Sequence, residues 1–344
     1  MRVLTALEPY HAEKERPLIL GIGNFDGLHL GHQALIRHVV RQAEQLGGHA
    51  AILTFQKHPQ TILHPASSLR LLISPLYKGF LFETSGIHTC FWLPFTEDFS
   101  KLTAGGFVGD LLVKKLRVRE VCMGYNAHFG HGREGDAARM AREAERYGFA
   151  FEKVEPVSVA GDYVSSSRVR DQVVAGDLAG AQACLGRSFG LLGRVTTGDG
   201  RGAGIGYPTL NLETASGVYP PEGVYAVRTR FLAFEGAEIF ESAACPEAGE
   251  FRVTEKGPWL DGIMNFGRRP TFTPEETEPR VEVHLFDFKK DVYGQRAEVL
   301  IRGFIRRERR FQDAEELRTQ IARDVLAAKQ LLRQPFLEER AKGD

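Results

Sequence analysis

The sequence predicts an α/β domain on a parallel sheet, followed by a small antiparallel β-barrel or sandwich closed by a helix. Three observations predict it. In the first half, short apolar runs alternate with stretches whose apolar residues recur at helical spacing. Beyond about Arg187, strand-like runs separated by glycine- and proline-bearing loops take over. The length, 344 residues, suits about two domains, each with its own core.

Composition excludes several function classes. Basic and acidic residues balance at 44 each, so no general nucleic-acid surface is expected. Met1 to Glu15 lacks the apolar core of a signal peptide, and no later run is long enough to span a bilayer. The four cysteines, Cys90, Cys122, Cys184 and Cys245, show no paired spacing, which points to reduced thiols in a cytosol. The expectation is a cytoplasmic protein, monomeric or weakly oligomeric, with small-molecule partners and neither nucleic acid nor membrane.

The first element is the apolar run Pro17–Leu20, a buried strand. Leu35, Ile36, Val39, Val40, Ala43 and Leu46 then mark a helix that Gly47-Gly48 stops. Ala50 to Phe55 is a second strand, completing a right-handed βαβ unit. Helical patterns at Leu76–Ser85 and Gly106–Leu116 precede strands at Thr89–Leu93 and Glu120–Met123. A helix to Tyr147, a strand near Phe149–Val154 and a short helix ending near Gly176 complete the half. The boundary falls near Gly180 to Ser188, giving domains 1–184 and 185–344. In the second half, Leu191–Val195, Gly223–Thr229, Leu260–Asn265, Val281–Phe288 and Ala297–Phe304 are strand-like. Asp313 with Glu316 forms a capping box for a last helix whose Leu317, Ile321, Val325 and Leu332 share one face.

Chemistry concentrates where the first strand meets the first helix, in Gly21-Ile22-Gly23-Asn24-Phe25-Asp26-Gly27-Leu28-His29-Leu30-Gly31-His32. A glycine-rich strand-to-helix turn offers backbone amides and a helix N-terminus to a phosphate. His29 and His32, three residues apart on one face, can reach a single phosphoryl group and stabilise the charge that develops on it. Other readings are a degraded dinucleotide fingerprint, with Asp26 in the place of the third glycine, a metal pair lacking a third ligand, and a tight turn with two solvated histidines. The HxGH context favours nucleotidyl transfer. His29, His58 and Asn126 each follow a strand end, where open α/β sheets bind ligands. Ser165-Ser166-Ser167-Arg168-Val169-Arg170 opens a helix with hydroxyls and two arginines, either a triphosphate site or an ordinary serine cap with surface arginines.

Two stretches of the second half offer further chemistry. In the loop from Gly198 through Gly202 to Asn211, glycines permit close approach to a nucleotide, and Thr209 and Asn211 offer oxygen ligands to magnesium. The glycines alone favour the other reading, a long flexible surface loop. Along Val281–Phe288, Val281, Val283 and Leu285 share one face, and Glu282, His284 and Phe286 the other. Glu282 is either a base for a hydroxyl nucleophile or part of a solvent face, and spacing alone does not separate them.

These motifs resemble one family. Gly23 to His32 and Ser165 to Arg170 look like the first and last signatures of the adenylyltransferase half of prokaryotic bifunctional riboflavin kinase/FAD synthetases, with Thr54–Leu63 and Leu93–Phe99 similar as well. Tyr207-Pro208-Thr209-Leu210-Asn211 is similar to the PTAN signature of riboflavin kinases. Asn265–Phe272, Val281–Phe288, Asp291–Gly294 and Phe304–Arg306 continue that match. The resemblance implies a Rossmann-like nucleotidyltransferase domain and a six-stranded riboflavin kinase barrel, with ATP, riboflavin, FMN and FAD as substrates or products and Mg2+ as cofactor. It implies that Gly23, Asn24, Phe25 and Asp26 line the nucleotide site and that His29 and His32 contact ATP phosphates. Ser165, Ser166, Ser167 and Arg168 hold those phosphates too, and Asn126 lies near the flavin phosphate. Gly198, Gly202, Thr209 and Asn211 serve Mg-ATP in the kinase, and Glu282 is its base. The chain departs from the family pattern at Gln56-Lys57, Ala127, Ser167, Ala203 and Leu210, and in Arg230–Lys256, expected to be a surface excursion. Two alternatives stand beside this reading: a nucleotidyltransferase for another phosphorylated acceptor, and a flavin sensor with a decayed kinase site.

Overall fold

The computed structural model describes residues 1–7, 16–64, 69–197, 204, 206–241, 248–270 and 277–333. The chain forms two compact units, neither contiguous in sequence. The first comprises Met1–Arg70, Pro75–Ser165 and Phe234–Val253; the second comprises Leu71–Ser74, Ser166–Ala233 and Thr254–Asp344.

The first unit begins with β1 (Arg2–Leu4), β2 (Leu18–Ile22), α1 (Leu30–Leu46), β3 (His49–Phe55), α2 (Pro59–Leu63), α3 (Pro75–Thr84) and β4 (Thr89–Leu93). There follow α4 (Glu97–Ser100), α5 (Ala104–Gly106) running into a π-helical segment Phe107–Lys115, β5 (Val118–Gly124), α6 (Ala137–Tyr147), β6 (Ala150–Val154) and the small hairpin β7 (Ser158–Val159), β8 (Asp162–Tyr163). The strands pair in parallel in the order β1-β4-β3-β2-β5-β6. β2 and β4 are buried at every residue, as expected of a parallel sheet covered on both faces. Leu35, Ile36, Val39 and Ala43 are the buried stripe of α1. Leu20, Leu53, Phe91 and Val121 form another core with Phe107, Leu111 and Met140. On β5, Glu120 replaces an aliphatic residue: its carboxylate lies 2.6 Å from His38 Nε2, and the Cys122 thiol donates to it at 3.6 Å.

The second unit continues with α7 (Ser166–Ala175), α8 (Leu178–Leu185), β9 (Gly190–Thr196), β10 (Leu210–Glu213) and β11 (Gly223–Glu235). From the end of β11 the chain contributes Phe234–Val253 to the first unit. Here α9 (Glu238–Glu241) is followed by β12 (Ala248–Glu250), which pairs antiparallel with β1 and places Val3 opposite Gly249. The Met1 amino group donates to the Phe251 carbonyl at 2.8 Å, and Phe251 N–H returns a bond to the Met1 carbonyl. Phe240 and Phe251 are buried, and Phe240 meets Trp92 edge-on at 5.2 Å. A Cβ at Gly79 would lie 2.6 Å from the Phe240 ring. The expected surface excursion is therefore corrected: its apolar side chains complete the edge and core of the first unit.

β13 (Arg252–Lys256), β14 (Leu260–Pro270), β15 (Thr277–Leu285), β16 (Arg296–Arg306) and α10 (Ala314–Leu332) complete the chain. The order β11-β14-β15-β10-β9-β16, with β16 pairing back onto β11, closes a six-stranded antiparallel barrel that β13 flanks. Closure leaves no free edge among those six strands. At the start of α10 the Asp313 carboxylate accepts Glu316 N–H at 2.8 Å, while the Glu316 carboxylate reaches Gln312 N–H. Arg306 on β16 grips the buried Asp324 of α10 through Nε at 3.0 Å and Nη2 at 2.8 Å.

Candidate functional site

The first site forms where β2 ends. Gly21 is closely packed: a Cβ there would lie 2.6 Å from Leu35 Cδ2 and 2.7 Å from Ile52 Cδ1, so those buried side-chain tips would have to shift. The turn that follows holds Phe25, Gly27 and Leu28 at positive φ (52°, 81° and 42°). For Phe25 and Leu28 that region is strained, a feature that clusters at functional sites. Phe25 is fully buried, with its ring 5.3 Å from Phe82 and 5.2 Å from His32, and Asp26 is buried beside it. His29 is the N-cap of α1, its Nδ1 accepting His32 N–H at 3.4 Å. The two imidazoles stack at 3.8 Å with 16° between planes. His32 Nδ1 is sealed from solvent and has no hydrogen-bond partner among the described residues. Desolvation, then His29, then Lys78 hold the His32 pKa well below its usual value, so the ring is neutral at neutral pH.

β2 lies between β3 and β5, and all three run parallel. The turn holding His29 and His32, the α2 N-cap His58 and the exposed Asn126 follow these three adjacent carboxyl ends. Between β2 and β5 the strand order reverses, the crevice where doubly wound sheets take their ligands. Asn24 Nδ2 lies 3.2 Å from His58 Nε2, tying the turn to the end of β3. Lys78 of α3 donates from Nζ to the Asn24 carbonyl at 2.9 Å. The sequence reading missed this lysine; its one signal is a lone cation inside the apolar stretch Leu76 to Phe82. Ser165 closes the first unit's second segment, and Ser166, Ser167 and Arg168 begin α7 in the second.

The second site is a row across the barrel wall. Asn211 on β10 pairs with Glu282 on β15, which pairs in turn with Asn265 on β14. Directly paired residues share a face, so the three side chains stand together. Val281, Val283 and Leu285 are buried on the opposite face, as the alternation predicts. Leu210, opposite Val283, is also buried, so its side chain belongs to the barrel core rather than to the row. Asn211 Nδ2 is buried with no hydrogen-bond partner among the described residues. The Glu282 carboxylate forms an ion pair with Arg280, and Asn265 Nδ2 donates to Glu308 Oε1 at 2.8 Å. His284 Nδ1 donates to the Pro208 carbonyl at 2.8 Å and meets the Tyr207 ring at 5.2 Å, anchoring the segment that carries Thr209. Gly198, Gly202 and Ala203 lie outside the described residues. Neither Asn265 nor Arg280 was singled out from the sequence, because each gains its meaning from cross-strand placement.

An orphaned amide, a hydroxyl, a carboxamide oxygen and a carboxylate suit a nucleotide and a hard cation. With the histidine pair at a sheet crevice, these features define a two-site protein built for nucleotide-dependent group transfer. The comparisons make this particular. Residues 11–168 match the FAD synthetase family and residues 185–332 the riboflavin kinase family. A bifunctional riboflavin kinase/FMN adenylyltransferase of Escherichia coli K12 is 32% identical over 96% of this chain and 97% of its own. One from Bacillus subtilis is 31% identical over 94% and 96%. The chain belongs to this bifunctional family. A crystal structure of a protein described as a macrolide-efflux protein, from Streptococcus pneumoniae, shares the fold over 95% of this chain and 98% of that one, with TM-score 0.77 and 24% identity.

Proposed function

We infer that this chain phosphorylates riboflavin to FMN and adenylylates FMN to FAD, using one ATP at each step. The observation that carries the reading is the coexistence of a stacked His29–His32 pair at a sheet crevice with a Glu282–Asn211 row in a closed barrel. Residues 1–184 are assigned to adenylyl transfer and 185–344 to the kinase. No helix among the described residues is long and apolar enough to cross a membrane. A cytoplasmic monomer or weak oligomer fits this role.

In the kinase half, Glu282 takes the proton of the ribityl 5′-hydroxyl as its oxygen attacks the γ-phosphorus of ATP, and ADP leaves. Arg280 pairs with the carboxylate and orients it until substrate arrives. Thr209 and Asn211 are the residues that would hold Mg2+ with the nucleotide, and the orphaned Asn211 amide is a ready donor to a phosphate oxygen. Bound magnesium offsets phosphate charge. Gly198 and Gly202 supply backbone to the same nucleotide.

In the adenylyltransferase half, an FMN phosphate oxygen attacks the α-phosphorus of ATP and the α–β bridge breaks to release pyrophosphate. His29 and His32 stabilise the charge on the transferring phosphoryl group and form no covalent intermediate. The Gly23–Asp26 turn shapes the nucleotide site, Asn126 takes the flavin phosphate, and Ser165–Arg168 contribute hydroxyls and a guanidinium to the triphosphate.

The test is chromatographic, following riboflavin, FMN and FAD over time with ATP and magnesium. Glu282→Gln is expected to slow FMN formation about 10²- to 10⁴-fold and leave conversion of supplied FMN to FAD intact. Unchanged FMN formation in that variant would remove Glu282 as base. FAD formation without any FMN formation by the unaltered chain would favour a decayed kinase.

A further inference from the structure

Lys78 is the only lysine buried among the described residues, with 7% of its surface exposed, on the apolar helix α3. A buried ammonium is costly unless its surroundings compensate it. Its Nζ donates to the Asn24 carbonyl, which also receives the Thr54 hydroxyl of β3 at 3.4 Å. The ammonium lies 5.1 Å from the centroid of the Trp92 ring on β4. The ionisable groups around it come from each neighbouring element. Asp26 of the turn favours its charged form, His32 of α1 is disfavoured from protonation by it, and His29 stacks on His32. Cys90 of β4 is a thiol pushed up to about 12 by burial, and His58 meets the Asn24 side chain. Burial outweighs the rest and lowers the Lys78 pKa to about 8.

We propose that Lys78 is a positioning residue for adenylyl transfer, its ammonium fixing the Asn24 turn beside His29 and His32 for the incoming nucleotide phosphates. The proposal rests on the reading of His29 and His32 as the phosphate-contacting pair. Burial first, then His29 and Lys78, hold His32 neutral before substrate arrives. Arriving phosphate charge favours the cationic form of both, so positive charge develops at the turn as the substrate binds.

The test is the pH profile of FAD formation from FMN by the full chain, read as kcat/KM for ATP, which reports the free enzyme. It is expected to fall about tenfold per pH unit above pH 8, as the free enzyme loses the Lys78 proton. Deprotonation of Lys78 does not itself destabilise the fold. A lysine whose pKa is lowered on folding adds stability as pH rises from about 8 toward its usual 10.5. Lys78→Arg, which keeps its charge throughout, moves the limb out of range, and Lys78→Gln flattens it at a rate about 10- to 100-fold lower. Riboflavin phosphorylation by the same preparations is expected to be unchanged at each pH. An unaltered chain with no limb near pH 8, or a limb that persists in Lys78→Arg, overturns the proposal, and the first outcome needs no variant to fold. His32→Asn separates the two readings: full activity there removes the histidine assignment, whereas loss there with a persisting limb in Lys78→Arg removes the lysine alone.

Discussion

The two sites are built in opposite ways. The histidine site lies within one continuous stretch, from Gly21 to His32, bent by a turn with Phe25 and Leu28 in the left-handed region. Each such residue costs of the order of 1–3 kcal/mol, which surrounding packing must offset. The kinase row instead joins Asn211, Asn265 and Glu282 from three strands, placed only by register. The first arrangement depends on the packing beneath a turn. The second is locally relaxed, but a one-residue slip of β15 would send Glu282 into the barrel core and Val283 into the site.

Three measurements can break or sharpen this contrast. The largest effect is expected from Phe240→Ala, which removes a buried ring from the core of the first unit and should cost about 3–5 kcal/mol. Denaturant titration should then abolish FAD formation well before riboflavin phosphorylation. Simultaneous loss would show that the two units unfold together and that strain in one is shared by the other. Next, His32→Asn should slow FAD formation about 10²- to 10³-fold, with FMN formation untouched. A matching fall in FMN formation would mean that the sites are energetically coupled. The smallest effect belongs to Gly21→Ala, which crowds Leu35 and Ile52 and should cost about 1–3 kcal/mol of stability. If the turn's geometry is the site, its FAD-forming rate falls at temperatures where the variant remains folded. A normal rate would show that the turn tolerates movement of its base.

This contrast also explains what the sequence could reveal. The glycines and histidines after β2 are legible because turn, cap and helix start are local and each demands particular residue types. The alternation of Val281 to Phe286 is legible for the same reason, and the buried face agrees with it. The capping pair Asp313 and Glu316 is recognisable too, although Glu316 turns to Gln312 rather than to Asp313. The companionship of Asn211, Glu282 and Asn265 is set by pairings across 71 and 17 positions of separation, which no periodicity encodes. Lys78 is hidden likewise, because its partner Asn24 lies 54 residues earlier. Residues 234–253 misled for a different reason. β12 is three residues long, Ala-Gly-Glu, and becomes a strand only because β1 offers it an edge.

That borrowed strand bears on how the protein is born. A chain leaving the ribosome completes most of its first sheet early, but the outer edge of β1 must wait until Phe251 emerges, 250 positions after Met1. Throughout that interval the nascent sheet carries an unpaired margin and an open seat for Phe240 and Phe251 beside Trp92. Exposed strand margins and apolar seats are what chaperones shield and what neighbouring nascent chains can invade. Vectorial synthesis therefore cannot finish this first half before starting the second, and its maturation is tied to the arrival of sequence embedded in the barrel.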